Sequence, residues 1–328
     1  MKITVNSSVV KNFIKVSRAK KISMITDNNS LVLTSKEKNI GIIYINDDID
    51  IKENGNICIE KEIFDYIDNN ILLNIEDTNI TYDSNKIKYM YTEMEQDFTS
   101  ILNSFKSVTT IPKKIFDDMT GVAYATSKEK TRPILQCLYF KGDEVAALDG
   151  YRMAIRKFDI DIPEFLMPNE LIKFYKKISL NTKNIEIVEN SLEIGIKINN
   201  YIIFVKKIEG DYIKYKSLIT DTYKTMVELD TEKILPLLKK AKKNDYVKLD
   251  IKDNNIKFII NNDKFTAENN FECIKEGDDL EIYFNPNYLL EALNNYNKPT
   301  LKFNVIPKPV IITEGNKTEI VSPMRVNE

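Results

Sequence analysis

The sequence predicts an α+β protein built from three copies of one module, and three observations lead to this prediction. The chain has 328 residues, which is too long for one small core. Three stretches with helical apolar spacing resemble one another and recur at a nearly constant interval. Three strand-to-helix transitions recur at nearly the same interval, so each module of about 110 residues holds two helices and several antiparallel strands.

The first repeated element is an amphipathic helix near the start of each module. It covers about residues 7–20, then 112 to about 125, and the third copy begins near Asp230. Apolar residues at helical spacing mark one face of each copy. Val9, Ile115 and Ile234 are equivalent positions, separated by 106 and 119 residues.

The second repeated element is a strand that leads into a helix, at residues 57–64, 165–171 and 283–289. Pro168 and Pro286 suit the first turn of a helix. Glu62, Asn169 and Asn287 are equivalent, separated by 107 and 118 residues. The two intervals agree, so we predict modules at 1–104, 105–220 and 221–328.

The composition narrows the classes of function. With 47 basic and 49 acidic residues the net charge is −2, which excludes a generally basic nucleic-acid coat but not a local basic surface. The absence of histidine excludes His-based triads and most catalytic zinc sites. Three distant cysteines argue against a disulfide scaffold and fit a reducing cytoplasm. The apolar runs are far shorter than the ~20 residues of a membrane span, so we expect no membrane partner.

Enzymatic motifs are missing from the sequence. It contains no GxxxxGK[ST], GxGxxG or GxSxG, so we expect neither a nucleotide cofactor nor a metal. The acidic pairs at 47–48, 117–118 and 278–279 are typical of solvated surface. A carboxylate-based hydrolase using Asp149 and Glu209 is the enzymatic alternative, although their spacing does not support it.

Basic helix faces indicate a local positive surface on this acidic chain. Lys11, Lys15 and Arg18 share one helix face. Such a surface binds phosphates without reading the base sequence. The alternative interpretation is that these lysines only form a solvated helix face. The predicted DNA-facing residues are Lys11, Lys15, Arg18, Lys20, Lys21, Lys173, Lys177, Lys239, Lys240 and Lys243.

Two further segments suggest a contact surface. In residues 147–156 (ALDGYRMAIR), Asp149 and Gly150 predict a tight turn, but a tyrosine, an arginine and a methionine follow at once. The apolar tail 320–326 (IVSPMRV) carries Pro-Met-Arg near the end of the chain. Methionine adapts to varied apolar ligands and arginine is favoured at interfaces, so we expect Met324 and Arg325 to border a pocket. An edge strand that simply ends there is the alternative.

These motifs resemble those of the bacterial DNA polymerase III beta subunits, the β sliding clamps. The resemblance is carried, in order, by 125–135 (ATSKEKTRPIL), 148–154 (LDGYRMA), 209–215 (EGDYIKY), 284–293 (FNPNYLLEAL) and 323–326 (PMRV). The first module is similar more weakly, through its first helix and 55–64. It looks shortened after Lys21, where the family usually has a Pro-Ile-Leu strand.

The resemblance implies three clamp domains per chain, with helices lining a hole and antiparallel sheets outside. Two chains would close head to tail into a homodimeric ring around double-stranded DNA, in the cytoplasm, without catalysis or cofactor. An external ATP-driven loader would open it. The implied partners are the DNA polymerase III alpha subunit, the clamp-loader delta subunit, other polymerases and mismatch-repair proteins, all through short peptides. We expect Met90 and Phe271, on predicted edge strands, to meet at the dimer interface.

The resemblance also implies a peptide pocket between the second and third modules. Its residues would be Arg132, Leu135, Leu148, Gly150, Tyr151, Arg152, Met153, Ile213, Leu218, Pro307, Pro309, Ile320, Val321, Pro323, Met324 and Arg325. Three departures from the family pattern bear on its peptide preference. Residues 212–215 read Tyr-Ile-Lys-Tyr where Tyr-Pro-Asp-Tyr or Phe-Pro-Asp-Tyr is usual, Ser217 replaces a frequent arginine, and Leu148 replaces a common threonine. The shortened first module leaves one rival, a clamp-fold peptide-binding protein without ring closure.

Overall fold

The computed structural model describes residues 1–27, 29–89, 101, 104–178, 180–220, 222–241, 245–261, 265–305 and 307–325, apart from the side chain of Asp27. The chain divides into two compact units. Unit 1 holds Met1–Asp118 and Glu170–Lys207, and unit 2 holds Met119–Asn169 and Ile208–Glu328. The mixture of helices and antiparallel sheets confirms the α+β class, while the division into three modules stays a prediction.

In the described part of the chain, short helices separate runs of consecutive strands. The helices are α1 (Ser7–Ser17), α2 (Lys113–Met119), α3 (Asn169–Tyr175), α4 (Thr231–Leu238) and α5 (Pro286–Leu293). Short 3₁₀ helices cover Lys61–Tyr66, Thr120–Ala125, Pro133–Gln136 and Tyr215–Leu218. In the part of the chain that the structure describes, no helix has the length and apolar character needed to cross a membrane.

The strands are numbered in chain order. They are β1 (Lys2–Asn6), β2 (Lys21–Asp27), β3 (Ser30–Glu37), β4 (Ile40–Asn46), β5 (Asp50–Glu53), β6 (Asn56–Glu60), β7 (Leu72–Glu76), β8 (Asn79–Tyr82), β9 (Asn85–Lys88), β10 (Lys106–Pro112), β11 (Cys137–Leu148), β12 (Arg152–Pro168), β13 (Asn184–Glu189), β14 (Glu193–Ile198), β15 (Tyr201–Lys206), β16 (Thr225–Glu228), β17 (Tyr246–Lys252), β18 (Asn255–Asn261), β19 (Thr266–Glu272), β20 (Ile274–Gly277), β21 (Leu280–Phe284), β22 (Thr300–Phe303), β23 (Val310–Glu314) and β24 (Lys317–Val321).

Capping residues explain where three helices begin. Asn6, Asp230 and Asn285 cap α1, α4 and α5 by accepting a hydrogen bond from the backbone N–H two residues further on. Helix α1 ends at Ser17, before the predicted residue 20, because Arg18 takes a left-handed conformation with φ +57°. Strand β2 then begins at Lys21, so the connection is short.

The two prolines predicted to open helices differ. Pro286 is the first residue of α5, as predicted. Pro168 is instead the last residue of β12, so its prediction was wrong. Its position fits the strand because proline is tolerated at strand ends. The predicted helix at 112–125 begins as α2 and continues as the 3₁₀ helix Thr120–Ala125.

Unit 1 contains two antiparallel sheets, ordered β5-β1-β7-β8-β9 and β10-β13-β14-β15-β4-β3-β2-β6. The second sheet joins strands from both sides of residue 104, since β15 pairs with β4. At this joint Phe204 lies opposite Gly41. A Cβ atom at Gly41 would lie 2.3 Å from Cζ of Phe204, so the ring takes the space that a larger residue would need.

Unit 2 also contains two antiparallel sheets, ordered β11-β12-β24-β23-β22-β16-β20 and β19-β18-β17-β21. The buried faces of α4 and α5 pack in one large apolar cluster, where Ile234 and Leu289 meet Phe258 and Phe284. Burying each such side chain contributes roughly 1.5–3 kcal/mol. In the first sheet, β12 pairs with β24, and this pairing supports the hairpin tip and the tail singled out above.

Candidate functional site

The hairpin tip between β11 and β12 is a tight turn, as the sequence predicts. Oδ1 of Asp149 accepts hydrogen bonds from the N–H groups of Tyr151 and Arg152, at 2.9 and 3.0 Å. Gly150 has φ +97°, a conformation that other residues rarely adopt. The turn leaves the Tyr151 side chain exposed, whereas the Arg152 side chain is buried.

Four residues predicted for the peptide pocket lie in one buried apolar cluster of unit 2. We call these four residues the floor: Leu135, Leu148, Met153 and Ile320. They are 2–4% exposed and pack with neighbours on β11, β12, β23 and β24 and with Tyr215. Val321 packs in the cluster of α4 and α5, because adjacent strand residues point to opposite faces. These four residues therefore form the buried base of the candidate site.

Two tyrosines hold the segment after β15 against this cluster. The Tyr212 ring stacks on Tyr139 with centroids 4.7 Å apart, and Tyr215 packs edge-on against both. Burial raises the pKa of Tyr212 and Tyr215, which keeps both phenols neutral. They are the outer residues of Tyr-Ile-Lys-Tyr, so the departure from the family pattern falls on Ile213 and Lys214, which are exposed.

Exposed side chains predicted for the pocket form a second group. We call the following residues the rim: Tyr151, Ile213, Leu218 and Met324, all large and apolar. Two backbone bonds tie the tail to the rest of unit 2. The N–H of Ser322 donates to the Tyr151 carbonyl at 2.8 Å, and the N–H of Met324 donates to the Tyr283 carbonyl at 2.7 Å.

The remaining predicted residues lie near these elements. Arg132 is exposed, and its Nη1 lies 3.7 Å from where a Cβ on Gly150 would be. Pro307 and Pro309 lead into β23, which pairs with β24. Pro323 and Arg325 belong to the tail, where Arg325 is exposed. The structure thus brings the tip, the floor and the tail together.

Arg152 is engaged in internal contacts. Its side chain is 5% exposed, and Nε lies 3.0 Å from Oδ2 of Asp149. Nη2 donates to the Tyr124 carbonyl at 3.0 Å, and Nη1 pairs with Glu291. The guanidinium lies 5.3 and 4.7 Å from the ring centroids of Tyr124 and Tyr288. These contacts join the hairpin tip to α5, and a direct peptide contact by Arg152 stays a prediction.

In unit 1, basic residues predicted to face DNA border two cavities beside α1. The first cavity, of about 680 Å³, has Lys15, Arg18 and Lys177 in its lining. The second, of about 430 Å³, is lined in part by Arg18, Lys20, Lys21, Lys36 and Lys38. Arg18 belongs to both and donates from Nη2 to the Lys177 carbonyl at 3.2 Å. We call Lys15, Arg18, Lys20, Lys21 and Lys177 the basic surface.

The basic surface carries charge that is only partly balanced. Among the described residues, Lys15, Lys20 and Lys177 form no ion pair and are exposed. Nζ of Lys21 lies 3.9 Å from Oε1 of Glu60, a long ion pair. An array of unpaired cations suits phosphate groups.

Lys36 and Lys38 border the second cavity, but they are not among the residues that the sequence predicts to face DNA. They lie at the turn between β3 and β4, and their approach to Lys20 depends on the strand order of the sheet. The available signal was the local sequence Lys-Glu-Lys-Asn at a turn between two apolar strands. That signal alone does not tell which helix the turn approaches.

The other predicted DNA-facing residues are placed separately. Nζ of Lys11 donates to the Ile67 carbonyl, which ties it to the end of a 3₁₀ helix. Lys173 is exposed on α3 in unit 1, and Lys239 and Lys240 are exposed after α4 in unit 2. Lys243 lies outside the described residues.

Of the two predicted dimer residues, one is described. Phe271 lies on β19, which is at the edge of its sheet within the described part of the chain. Its ring packs edge-on against Phe258, with centroids 5.7 Å apart. Met90 lies outside the described residues.

The carboxylates of the hydrolase alternative show no catalytic arrangement. Asp149 is bonded to the hairpin turn and to Arg152, and Glu209 is exposed. Over the described ranges, no group of three or more His, Cys, Asp and Glu residues could hold a metal ion.

Comparison with protein families identifies two consecutive domains. The model described as "DNA polymerase III beta subunit, central domain" matches residues 110–214, and that of the C-terminal domain matches residues 216–324. The two matches cover more than half of the chain. The chain belongs to the DNA polymerase III beta subunit family.

Individual members of the family agree with this assignment. The beta sliding clamp of Bacillus subtilis (strain 168) is 28% identical over 219 residues, which are 60% of this chain and 58% of that protein. The chain thus spans about three fifths of the length of the curated relatives it matches.

Solved structures of the family extend the likeness to the whole chain. Caulobacter crescentus pol III beta has a TM-score of 0.87 at 16% identity, covering 99% of this chain and 100% of that chain. A DnaN sliding clamp from Bartonella birtlesii bound to griselimycin has a TM-score of 0.83 at 17% identity, with the same coverage. The clamp fold therefore includes the residues before 110.

Proposed function

We propose that this protein is a DNA sliding clamp, a non-catalytic cytoplasmic factor that gives processivity to a replicative DNA polymerase. The observation that carries the proposal is the match of two clamp domains over 110–214 and 216–324. The clamp fold across 99% of the chain supports it. A clamp keeps the polymerase on DNA by encircling the duplex, and this requires no catalytic group and no cofactor.

The proposed assembly is a head-to-tail homodimeric ring with three domains per chain, at 1–104, 105–220 and 221–328. Two observations support closure through sheet edges. Strands β9 and β19 each end a sheet among the described residues, and Phe271 lies on β19. Joining such edges across two chains satisfies their backbone groups, and Met90 would be the partner of Phe271.

The proposed DNA contact is electrostatic and independent of base sequence. Lys15, Lys20 and Lys177 support it, since they are exposed and have no ion-pair partner within the described part of the chain. Lysines that neutralise phosphates release counterions from duplex DNA. Such contacts are weak enough individually to let the ring slide, and the ring itself prevents escape.

The proposed peptide site takes short linear motifs of the DNA polymerase III alpha subunit, the clamp-loader delta subunit, other polymerases and mismatch-repair proteins. An apolar floor with a partly exposed apolar rim supports this proposal. A Leu or Phe anchor buried there gains about 25 cal/mol per Å² of apolar area. Arg132 and Arg325, which are exposed, supply donors for the polar groups of the peptide.

The test is primed-template synthesis by the cognate polymerase and clamp loader on circular DNA, with and without linearisation. We expect the protein to lengthen products on the circle and to lose this effect on linear DNA, because a ring slides off free ends. Equal stimulation on both templates, or none on either, would contradict the proposal.

The rival proposal is a clamp-fold peptide-binding protein without ring closure. It rests on the short connection between α1 and β2 in the first module. Analytical ultracentrifugation separates the two proposals. A dimer at micromolar concentration supports the ring, whereas a monomer with intact peptide binding supports the rival.

A further inference from the structure

A buried ion pair lies on the face of β12 and β24 that is opposite to the floor. Oε1 of Glu319 lies 2.7 Å from Nη2 of Arg156, and the two side chains are 0% and 2% exposed. The Tyr124 hydroxyl donates to Oε2 of Glu319. Nη1 of Arg156 donates to the Ile155 carbonyl at 2.8 Å. The carboxylate therefore holds groups from β12 and from the 3₁₀ helix Thr120–Ala125 at the same time.

Such a pair is a poor means of adding stability. Removing both charges from water is expensive, and apolar side chains of similar volume often stabilise a core as well or better. The main effect of the pair is therefore to favour one arrangement of β12 and β24, the two strands that carry it.

The pairing register shows which arrangement is permitted. Glu319 lies opposite Ala154, so its carboxylate stands between Arg152 and Arg156 along β12. A slip of one residue would turn Glu319 to the other face, where Met153 and Ile155 offer no charged partner. The same slip would move everything after β24 by about 3.3 Å.

The residues after β24 are those that the proposed peptide site needs. The tail begins at Ser322, directly after the last residue of β24. Its backbone hydrogen bonds to Tyr151 and Tyr283 fix the position of the tail beyond the end of β24. The register of β24 thus sets where the 40% exposed Met324 stands relative to the hairpin tip.

We propose that Glu319 and Arg156 are positioning residues, whose buried ion pair, held by Tyr124, fixes the register of β24 and so places Met324 for peptide binding. This inference rests on the proposed peptide-binding function. Neither residue contacts the peptide, because both side chains lie beneath the sheet surface that carries the floor.

The first test replaces the charges by apolar groups of similar volume. The double variant Arg156→Met/Glu319→Leu should keep or raise the thermal midpoint of unfolding. It should bind a capped peptide with Leu and Phe anchors at least tenfold more weakly, measured by isothermal titration calorimetry. The matched control is Lys2→Met/Glu76→Leu, which removes an exposed ion pair of 3.0 Å in unit 1 and should leave affinity within twofold.

The outcomes separate the two proposals. If the wild-type protein does not bind the peptide, the proposed peptide site is wrong. If the wild type binds and the double variant binds equally well, the positioning role is wrong. If the double variant does not fold, the pH profile of peptide affinity in the wild-type protein decides the question, and the single substitution Glu319→Gln, which keeps the shape of the side chain, is its comparison.

The expected dependence of peptide affinity on pH follows from the titration of Glu319. Burial raises the pKa of Glu319 to about 7, although Arg156 and the Tyr124 hydrogen bond act in the opposite direction. The charged and titratable groups that act on Glu319 or on its direct partners are Arg152, Arg156, Tyr124, Tyr296 and Glu314. Burial raises the pKa of both tyrosines, and the chain has no histidine, so Glu319 dominates the titration of this cluster near neutral pH.

The two consequences of protonation have opposite signs. The pKa of Glu319 in the folded protein lies above its ordinary value, so lowering the pH from 8 to 6 favours the folded state through this group. The same proton removes the ion pair with Arg156. The fraction of the protein with a charged Glu319 falls about tenfold between pH 8 and pH 6, so peptide affinity should fall by up to about tenfold. A merely structural role would move stability and affinity in the same direction.

The variant Glu319→Gln carries no charge to titrate, so its peptide affinity should be low and constant between pH 6 and 8. If Glu319→Gln instead retained the pH dependence of the wild type, another group would be responsible and the inference would be overturned. The capped peptide contributes no titration of its own.

Discussion

The floor and rim of unit 2, which form the proposed peptide site, and the basic surface of unit 1 are built in opposite ways. In the proposed peptide site, Leu148 and Met153 belong to the core, and Arg152 is held by internal ion pairs. In the basic surface, Lys15 and Lys177 are exposed and unpaired among the described residues. The first surface takes its shape from packing, whereas the second carries charge on side chains that support little else.

From this difference we expect substitutions in the floor to change peptide affinity and stability together, and substitutions in the basic surface to change DNA affinity without changing stability. A change in the floor alters the core and the binding site together, because the same side chains serve both. A change in the basic surface alters the electrostatic potential alone, because exposed lysines contribute little to stability. The same type of substitution, made at positions with different roles, therefore tests the comparison directly.

The largest expected effect comes from the same substitution at two methionines. Met153→Ala removes a buried floor residue and should lower the free energy of unfolding by about 2–5 kcal/mol. Met324→Ala, on the rim, should change it by less than about 0.5 kcal/mol. Urea unfolding followed by circular dichroism measures both. Equal destabilisation by the two variants would remove the distinction between floor and rim.

The second effect is on peptide affinity and concerns the tail. Met324→Ala should weaken peptide binding by about 1–3 kcal/mol, since a few exposed apolar anchors dominate such interfaces. Deletion of residues 323–328 should abolish binding. Dimerisation, followed by sedimentation, should survive both changes, and unchanged peptide affinity would rule out the assignment of the tail to the site.

Local features of the fold could be predicted from the sequence because they depend on neighbouring residues. The starts of α4 and α5, the turn at Asp149 and the edge position of Phe271 follow from caps, turn chemistry and apolar spacing. The residues of the floor were also identified, through the family resemblance. Their burial was not, because the resemblance does not separate packing from contact.

Long-range partners could not be predicted. Arg152 pairs with Glu291 and Arg156 with Glu319, across sequence separations of 139 and 163 residues. Charged residues on a strand indicate a solvated face, and only the strand order shows that these two arginines are buried. For the same reason Lys36 and Lys38 could not be joined to the basic surface.

The third prediction tests the basic surface. The triple variant Lys15→Gln/Lys20→Gln/Lys177→Gln should bind a short duplex more weakly, and the slope of log affinity against log salt should fall by about 2.7, or 0.9 for each lost contact. Fluorescence anisotropy at several salt concentrations measures this. Unfolding free energy should stay within about 0.5 kcal/mol of the wild type.

The control for the triple variant has the same change in net charge. Lys52→Gln/Lys106→Gln/Lys206→Gln removes three exposed lysines of unit 1 that lie outside the basic surface and outside β9. Its salt slope should equal that of the wild type. A slope reduced equally in both triple variants would mean that net charge, and not this surface, governs DNA binding.

The smallest effect concerns the two lysines that only the structure joins to the basic surface. Lys36→Gln/Lys38→Gln should lower the salt slope by at most about 1.8, less than the triple variant. Glu37 and Glu60 line the same cavity and offset part of the charge, so a smaller decrease is expected. An unchanged slope would mean that the DNA contacts do not extend to Lys36 and Lys38. A measurable decrease would extend the basic surface to the turn between β3 and β4, while the free energy of unfolding stays unchanged.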